Sequence, residues 1–204
     1  MQQKSKFYFY GRKKPTFIYS LMKSWHKTLV KYENKTEYLV DLPYWNIERT
    51  NIGFLATAAN NLKALPLEDF SAILGPWIKQ KTGRADLWIL DKENNCYDIE
   101  AKWCEISLNS PYLSQTIESK LQESVDDVRK LKDKSDVSLG IVFIVPYVKG
   151  KTHNYNSYLK KISDLNSYNA DFAGVHIAPR SLWEDYQYEG YYYPGITIVG
   201  RYSK

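Results

Sequence analysis

Residues 83–105, GRADLWILDKENNCYDIEAKWCE, contain the pattern on which the prediction of the fold depends. Two short runs, ADLWIL and CYDIEAKW, flank DKENN, a polar segment rich in residues that favour turns. The stretch is therefore predicted to form a β-hairpin. If the hairpin is symmetric about Glu93, Asp86 lies opposite Glu100 on the same face, with the two Cβ atoms about 5 Å apart.

The second predicted strand places a lysine beside these two carboxylates. Side chains alternate between the two faces of a strand, so Asp98, Glu100 and Lys102 share one face. Two carboxylates at a site that is open on one side suit a hard divalent cation such as Mg²⁺, which prefers oxygen ligands and retains several waters. The positive charge of Lys102 can lie beside a metal-bound water and help to orient it or promote the loss of its proton, or it can stabilise charge that develops on a phosphate.

These residues carry a resemblance to a known family. Asp86, followed after thirteen residues by Glu100-Ala101-Lys102, resembles the motif of the PD-(D/E)XK nuclease superfamily. The resemblance implies a restriction-endonuclease-like αβββαβ core, with Asp86, Glu100 and the Ala101 carbonyl as ligands of Mg²⁺ or Mn²⁺ and Lys102 as a catalytic residue. Ala85 replaces the proline of the motif, which leaves the metal ligand in place. The alternative interpretation is a solvated hairpin face that carries an ion pair, because charges on strand surfaces are common.

A further acidic residue is expected on the helix that precedes the strand of Asp86. Residues 44–65 combine apolar and small side chains, a composition typical of a helix packed closely against its neighbours. Superfamily members often carry an active-site acid on this helix, and Glu48 matches it by order, to orient the attacking water or to hold a second ion. Glu68 and Asp69 are the alternatives for this role. Glu48 can instead stabilise the N-terminus of its helix through its charge.

The rest of the chain predicts an α/β fold with a mixed central sheet flanked by helices. The pattern predicts a strand over about 69–77, the hairpin, a helix over about 111–134, a buried strand over 139–148, a helix over 155–165 and a strand over 171–179. We expect one domain with a nuclease-like core over about 44–180. Residues 1–43 form a basic and aromatic extension that includes an extra helix, and 181–204 form a tyrosine-rich segment and strand. Its tyrosines are explained equally well by stacking on bases and by a strand at the sheet edge.

Positive charge is concentrated in the N-terminal part. The net charge is +5, but residues 1–35 hold nine Lys or Arg against one acid, whereas the remainder holds nineteen against twenty-two. An amphipathic helix is predicted from Thr16 to about Asn34, with Lys23, Lys27 and Lys31 in a stripe along it. We expect a nucleic acid, DNA in preference to RNA, as the partner of this stripe, because neutralised phosphates release counterions. The stripe is equally well explained as the solvated side of the helix.

Several other functional classes lack a sequence signature. No apolar run approaches the roughly 20 residues of a membrane span, and no secretory signal is recognisable, so we expect a cytoplasmic protein without membrane attachment. Neither GxGxxG nor GxxxxGK[ST] occurs. His26, His153 and His176 are expected to be structural, and Cys96 and Cys104 to be free thiols.

The combined prediction is a metal-dependent phosphodiesterase of the endonuclease type, which would need a homodimer to cut both strands symmetrically. A retaining glycosidase can also use two carboxylates at this separation, although Lys102 and the basic N-terminal region fit a phosphodiester better. The non-enzymatic alternative is a catalytically silent nuclease-like fold that binds nucleic acid or a protein in a defence or mobile-element system.

Overall fold

The computed structural model describes residues 4–11, 16–35, 42–45, 47–74, 81–131, 135–150 and 155–203. Within these ranges the chain forms five α-helices and eight β-strands. The helices are α1 (Thr16–Glu33), α2 (Glu48–Asn61), α3 (Leu113–Lys130), α4 (Tyr155–Ser163) and α5 (Arg180–Asp185). The strands are β1 (Lys6–Gly11), β2 (Leu65–Leu74), β3 (Lys81–Leu90), β4 (Cys96–Ser107), β5 (Val137–Lys149), β6 (Phe172–Ile177), β7 (Tyr191–Tyr192) and β8 (Gly195–Tyr202).

The strands form a mixed sheet in the order β1-β6-β8-β5-β4-β3-β2, and the short β7 pairs with β5. Strands β4 and β5 are parallel, whereas the other neighbouring strands are antiparallel. Helix α3 connects β4 to β5, because parallel neighbours need a crossover rather than a tight turn. The predicted α/β class with a mixed sheet is therefore confirmed.

The hairpin of β3 and β4 has the predicted register, in which Leu87 pairs with Ile99. Its turn is organised by Asp91, whose side chain accepts hydrogen bonds from the backbone N–H groups of Glu93 and Asn95 at 2.8 and 2.9 Å. An aspartate that bonds its own following backbone fixes the turn, and the turn fixes the register of the two strands. The predicted hairpin and its register are therefore confirmed, and both depend on residues that are close along the chain.

Helices cover both faces of the sheet. On one face, α1 and α2 pack against apolar residues of β3, β4 and β5, and this core includes Leu21, Trp25, Leu29, Leu55, Leu87, Ile99 and Phe143. On the other face, α3 and α4 pack against β4, β5 and β8, and that core includes Ile117, Leu121, Val142, Ile144, Tyr158, Ile162 and Val199. The apolar spacing that predicted α1 therefore marks the side of the helix that faces the sheet.

The C-terminal strand lies inside the sheet, so the alternative of a strand at the sheet edge is wrong. Strand β8 pairs with β5 on one side and with β6 on the other, and its residues from Gly195 to Arg201 are buried. The apolar run Ile196-Thr197-Ile198-Val199 fits this place, because a central strand is covered on both faces. One edge of the sheet is instead formed by β1, which comes from the N-terminal extension and pairs with β6, and the other edge is formed by β2.

In the part of the chain that the structure describes, no helix is long and apolar enough to cross a membrane. The strand predicted to end near Trp77 is described as far as Leu74, and residues 75–80 lie outside the described ranges. His153 also lies outside them.

Candidate active site

The predicted carboxylates lie where β3 and β4 separate. The ladder between these strands runs from Leu90 and Cys96 to Leu87 and Ile99. Beyond that pair, β3 continues along β2, whereas β4 continues along β5. At the point of separation, the backbone N–H of Ala101 donates a hydrogen bond to Oδ2 of Asp86 at 2.8 Å. A side-chain carboxylate thus takes the place of a strand carbonyl as acceptor.

Asp86 and Glu100 share one site, and Asp86 lies close enough to act on the carboxyl group of Glu100. Glu100 is only 7% exposed. Burial and, after it, the charge of Asp86 raise the pKa of Glu100 well above its usual range. Two ionised carboxyl groups at one site repel each other, and a divalent cation bound between them would relieve this repulsion. This donor set therefore fits Mg²⁺ or Mn²⁺.

Lys102 is anchored by acidic residues of α3. Its Nζ lies 2.6 Å from Oδ2 of Asp127 and 3.9 Å from Oε1 of Glu123. Burial alone would lower the pKa of Lys102, but the hydrogen bond to Asp127 and the acidic charges around it give a net rise. Lys102 is therefore an ammonium ion, which suits it to orient a water or a phosphate oxygen.

Glu48, the first residue of α2, lies within electrostatic reach of the same groups. Burial and the charge of Asp86 raise the pKa of Glu48, while Lys102 acts in the opposite direction. The two alternative acids have other neighbours: Asp69 forms an ion pair with Arg49 at 3.0 Å, and Glu68 lies beside Gly53. The fold thus brings together Glu48, Asp86, Glu100 and Lys102, which we call the carboxylate cluster.

Glu123 and Asp127 were not among the site residues predicted from the sequence. Their spacing of four residues puts them on one face of α3, which was the available signal. Nothing in that spacing shows which strand the face will meet. Only the crossover of α3 between the parallel β4 and β5 determines that this face approaches Lys102.

In the described ranges, no group of three or more His, Cys, Asp or Glu side chains is arranged to hold a metal ion. The predicted ligand set is smaller, because it consists of two carboxylates and a backbone carbonyl. In a strand, the N–H and C=O of one residue point toward the same neighbour. The Ala101 N–H bonds Asp86, so we expect the Ala101 carbonyl on the side of Asp86 as well. A cation that retains several waters needs few protein ligands.

The carboxylate cluster has to be interpreted from its own geometry. The chain matches no protein-family model, no curated protein and no solved structure. Even a shared fold would leave the chemistry to be inferred from the site, because one fold serves many functions.

The predicted lysine stripe lies on a helix that packs on the face of the sheet opposite α3, the helix that Lys102 contacts. Lys23, Lys27 and Lys31 are exposed on α1, and α1 packs on the face opposite α3. Lys102 meets α3 and not α1. The structure therefore does not bring the stripe to the carboxylate cluster, and its contact with nucleic acid stays a prediction.

Both cysteines are free thiols, as predicted. Cys104 is buried among residues that pack under α3, and this burial raises the pKa of its thiol. Neither cysteine contributes to the carboxylate cluster.

Asp127→Asn is expected to lower the free energy of unfolding by about 1 kcal/mol, because it removes the charge that anchors a partly buried Lys102. Urea unfolding at neutral pH measures this change. Asp126→Asn is the matched control, because Asp126 forms its ion pair with Arg129 at the surface, where both side chains are about half exposed, and accepts a hydrogen bond from Gln122 that an asparagine oxygen can also accept. Equal effects of the two substitutions would show that the Lys102–Asp127 contact contributes nothing beyond a surface ion pair.

Proposed function

We propose that this protein is a metal-dependent phosphodiesterase of the PD-(D/E)XK type, an endonuclease that acts on nucleic acid, with DNA as the first substrate to test. The observation that carries the proposal is the convergence of Asp86, Glu100 and Lys102 where β3 and β4 separate. A solvated hairpin face would leave both carboxyl groups exposed, whereas Glu100 is buried next to Asp86, an arrangement that a bound cation would stabilise.

The order of the elements supports the same proposal. Elements α2, β2, β3, β4, α3 and β5 follow one another as helix, three strands, helix and strand. This is the αβββαβ order of the restriction-endonuclease-like core. Strand β1 and helix α1 precede these elements, and β6, β7 and β8 follow them as additions to the same sheet.

Each residue of the carboxylate cluster has a role in the proposed hydrolysis. Asp86, Glu100 and the carbonyl of Ala101 would hold Mg²⁺ or Mn²⁺. When bound, such a cation neutralises charge on the scissile phosphate and lowers the pKa of a coordinated water. Lys102, anchored as an ammonium ion by α3, orients the attacking water or stabilises negative charge on the phosphate. Glu48 orients that water or contributes to a second ion site.

Cleavage of plasmid and single-stranded substrates, with and without Mn²⁺, tests the proposal. We expect the wild type to cleave only with a divalent cation, and Lys102→Ala to cleave about 10²–10³-fold more slowly, the range for loss of one preorganised electrostatic contact. Lys160→Ala, an exposed lysine on α4, is the matched control and should retain full activity. Size-exclusion chromatography with light scattering of the same preparation would show whether a dimer accompanies double-strand cleavage.

Other outcomes distinguish the alternative functions. Hydrolysis of a glycoside that persists in EDTA would indicate a glycosidase and contradict the proposal. Absence of cleavage with Mg²⁺ and Mn²⁺, together with nucleic-acid binding that survives Asp86→Ala and Lys102→Ala, would indicate a nuclease-like binding module.

A further inference from the structure

Lys102 and Glu100 lie on the same face of β4, yet the ammonium group of Lys102 turns to helix α3. Side chains two residues apart on a strand start about 7 Å from each other, so an extended lysine can reach the glutamate. The charge of Lys102 also acts on the carboxyl group of Glu100. Among the residues that the structure describes, however, both ion pairs of Lys102 are with α3, at 2.6 Å from Asp127 and 3.9 Å from Glu123. We call Glu123 and Asp127 the α3 acids.

Each of the α3 acids bridges Lys102 and a second lysine of the helix. Oδ2 of Asp127 faces Lys102, while its Oδ1 lies 2.6 Å from Nζ of Lys130. Oε1 of Glu123 faces Lys102, while its Oε2 lies 3.0 Å from Nζ of Lys120. The side chain of Lys102 is only 21% exposed, so water and salt screen its contact with Asp127 less than they screen the two surface pairs.

Helix α3 holds the α3 acids at a fixed place relative to β4. Its inner residues Ile117, Leu121 and Val125 are fully buried. At Gly140 of β5, an added Cβ atom would lie 2.6 Å from the backbone nitrogen of Val125. A helix packed this closely cannot slide along the sheet without a clash, because protein interiors have little free space. The α3 acids are therefore a rigid support for Lys102.

A lysine without this support would compete with a cation. The ammonium group of Lys102 carries the charge that the carboxylates of Asp86 and Glu100 attract. Bound between them, it would neutralise their charge and occupy oxygens that Mg²⁺ or Mn²⁺ needs as ligands. Held at α3, it leaves these oxygens available and remains close enough to contact a water or a phosphate oxygen.

We propose that the α3 acids are positioning residues that keep the ammonium group of Lys102 off the carboxylates of Asp86 and Glu100, so that these can bind a divalent cation. The inference rests on the proposed function, because it takes the two carboxylates as ligands of that cation. It adds a role for α3, whose acids contact neither the cation nor the nucleic acid and act through Lys102. They separate two positive charges that the hydrolysis needs at one site.

A different effect of the α3 acids has to be separated from this one. Their negative charge can favour a nearby cation at a distance, whatever Lys102 does. The long-range effect does not depend on Lys102, whereas the proposed effect disappears when the side chain at position 102 has no charge. Substitution of the α3 acids with and without Lys102 therefore distinguishes the two explanations, because only the proposed one makes the substitutions non-additive.

Binding of Mn²⁺ alone to the full chain tests the proposal, measured from the loss of the electron paramagnetic resonance signal of the free ion. The quantity compared is the binding that Glu100→Gln removes. Glu123→Gln combined with Asp127→Asn is expected to weaken this binding about tenfold or more, within the range for residues that support metal ligands. On a Lys102→Met background, the same two substitutions are expected to leave the Mn²⁺ affinity unchanged, which would also show that they do not unfold the site.

Glu118→Gln combined with Asp126→Asn is the matched control. It removes the same two charges from the same helix, at exposed positions, and the ion pair of Asp126 is with Arg129 rather than with Lys102. This control should bind Mn²⁺ nearly as the wild type does, because charges in water are screened by salt. A control that loses as much affinity as the α3 acid substitutions would overturn the proposal.

A crystal structure of the metal-free protein with both α3 acids substituted is the second measurement. We expect Nζ of Lys102 within hydrogen-bond distance of the Glu100 or Asp86 carboxylate, and an ammonium group directed elsewhere would overturn the proposal. An equal loss of Mn²⁺ affinity with and without Lys102, or no loss, would also overturn it. Mn²⁺ binding as expected without cleavage of nucleic acid would contradict only the proposed function, whereas a wild type without Mn²⁺ binding through Glu100 would overturn both.

Discussion

Glu100→Gln is expected to make the metal-free protein more stable at pH 8 and to slow its cleavage of nucleic acid by about two to three orders of magnitude. Burial and the charge of Asp86 raise the pKa of Glu100 in the folded state above its value in the unfolded chain. The folded state therefore binds more protons between these two pKa values. The resulting stability is fully present below the unfolded pKa and is lost as pH rises through the folded one.

Glutamine keeps the shape of the side chain and removes the charge, so the substitution relieves the repulsion that grows with pH. We expect a gain of about 2 kcal/mol in the free energy of unfolding at pH 8 in EDTA, and a difference near zero at pH 4. Urea unfolding at the two pH values measures it. Activity is expected to fall by about two to three orders of magnitude, because one of the two acidic ligands is lost.

Glu105→Gln is the matched control for this prediction, because Glu105 lies on the same strand but is exposed and bonds the Tyr193 hydroxyl. Glu105→Gln should show no gain in the free energy of unfolding that grows with pH. Mn²⁺ should raise the melting temperature of the wild type and of Glu105→Gln, but not that of Glu100→Gln. If Mn²⁺ stabilised all three proteins equally, the cation would not bind through Glu100.

The parts of the site that the sequence predicts are those determined by short-range physics. The turn at Asp91 sets the register of β3 and β4, and strand alternation then puts Glu100 and Lys102 on the face that Asp86 shares. These relations involve residues that are close along the chain, so the two-residue alternation of strands and the chemistry of the turn are sufficient to place them.

The relations that the sequence does not predict involve long-range pairing. The apolar run of β8 indicates a covered strand, but nothing in it selects β5 and β6 as neighbours. Likewise, His26 and His176 are 150 residues apart, and their contact exists only because β6 packs beneath α1. The contact between Asp127 and Lys102 is also a long-range relation. The position of α3 is determined by the crossover from β4 to β5, and the sequence pattern of the helix does not reveal it.

Gly140→Ala is expected to destabilise the protein by about 2–3 kcal/mol, the upper part of the range for an overpacked core. Gly140 lies in β5 opposite Glu100 in the parallel ladder. A Cβ atom at this position would lie 2.6 Å from the Ser124 hydroxyl oxygen and 2.6 Å from the backbone nitrogen of Val125. Because a helix backbone cannot yield locally, α3 would have to move away from the sheet, and Asp127 would move away from Lys102 with it.

Gly53→Ala is the matched control for this substitution. Gly53 lies within α2, and its added Cβ would meet its nearest atom only at 3.9 Å. Helix propensity then predicts that Gly53→Ala raises the free energy of unfolding by up to about 1 kcal/mol. The two glycine substitutions should therefore change stability in opposite directions. Urea unfolding of both variants measures the effects, and the ¹⁵N signal of the Lys102 ammonium reports the movement of α3. A Gly140→Ala protein as stable as the wild type, with an unchanged Lys102 signal, would mean that α3 does not approach β5 closely enough to anchor Lys102.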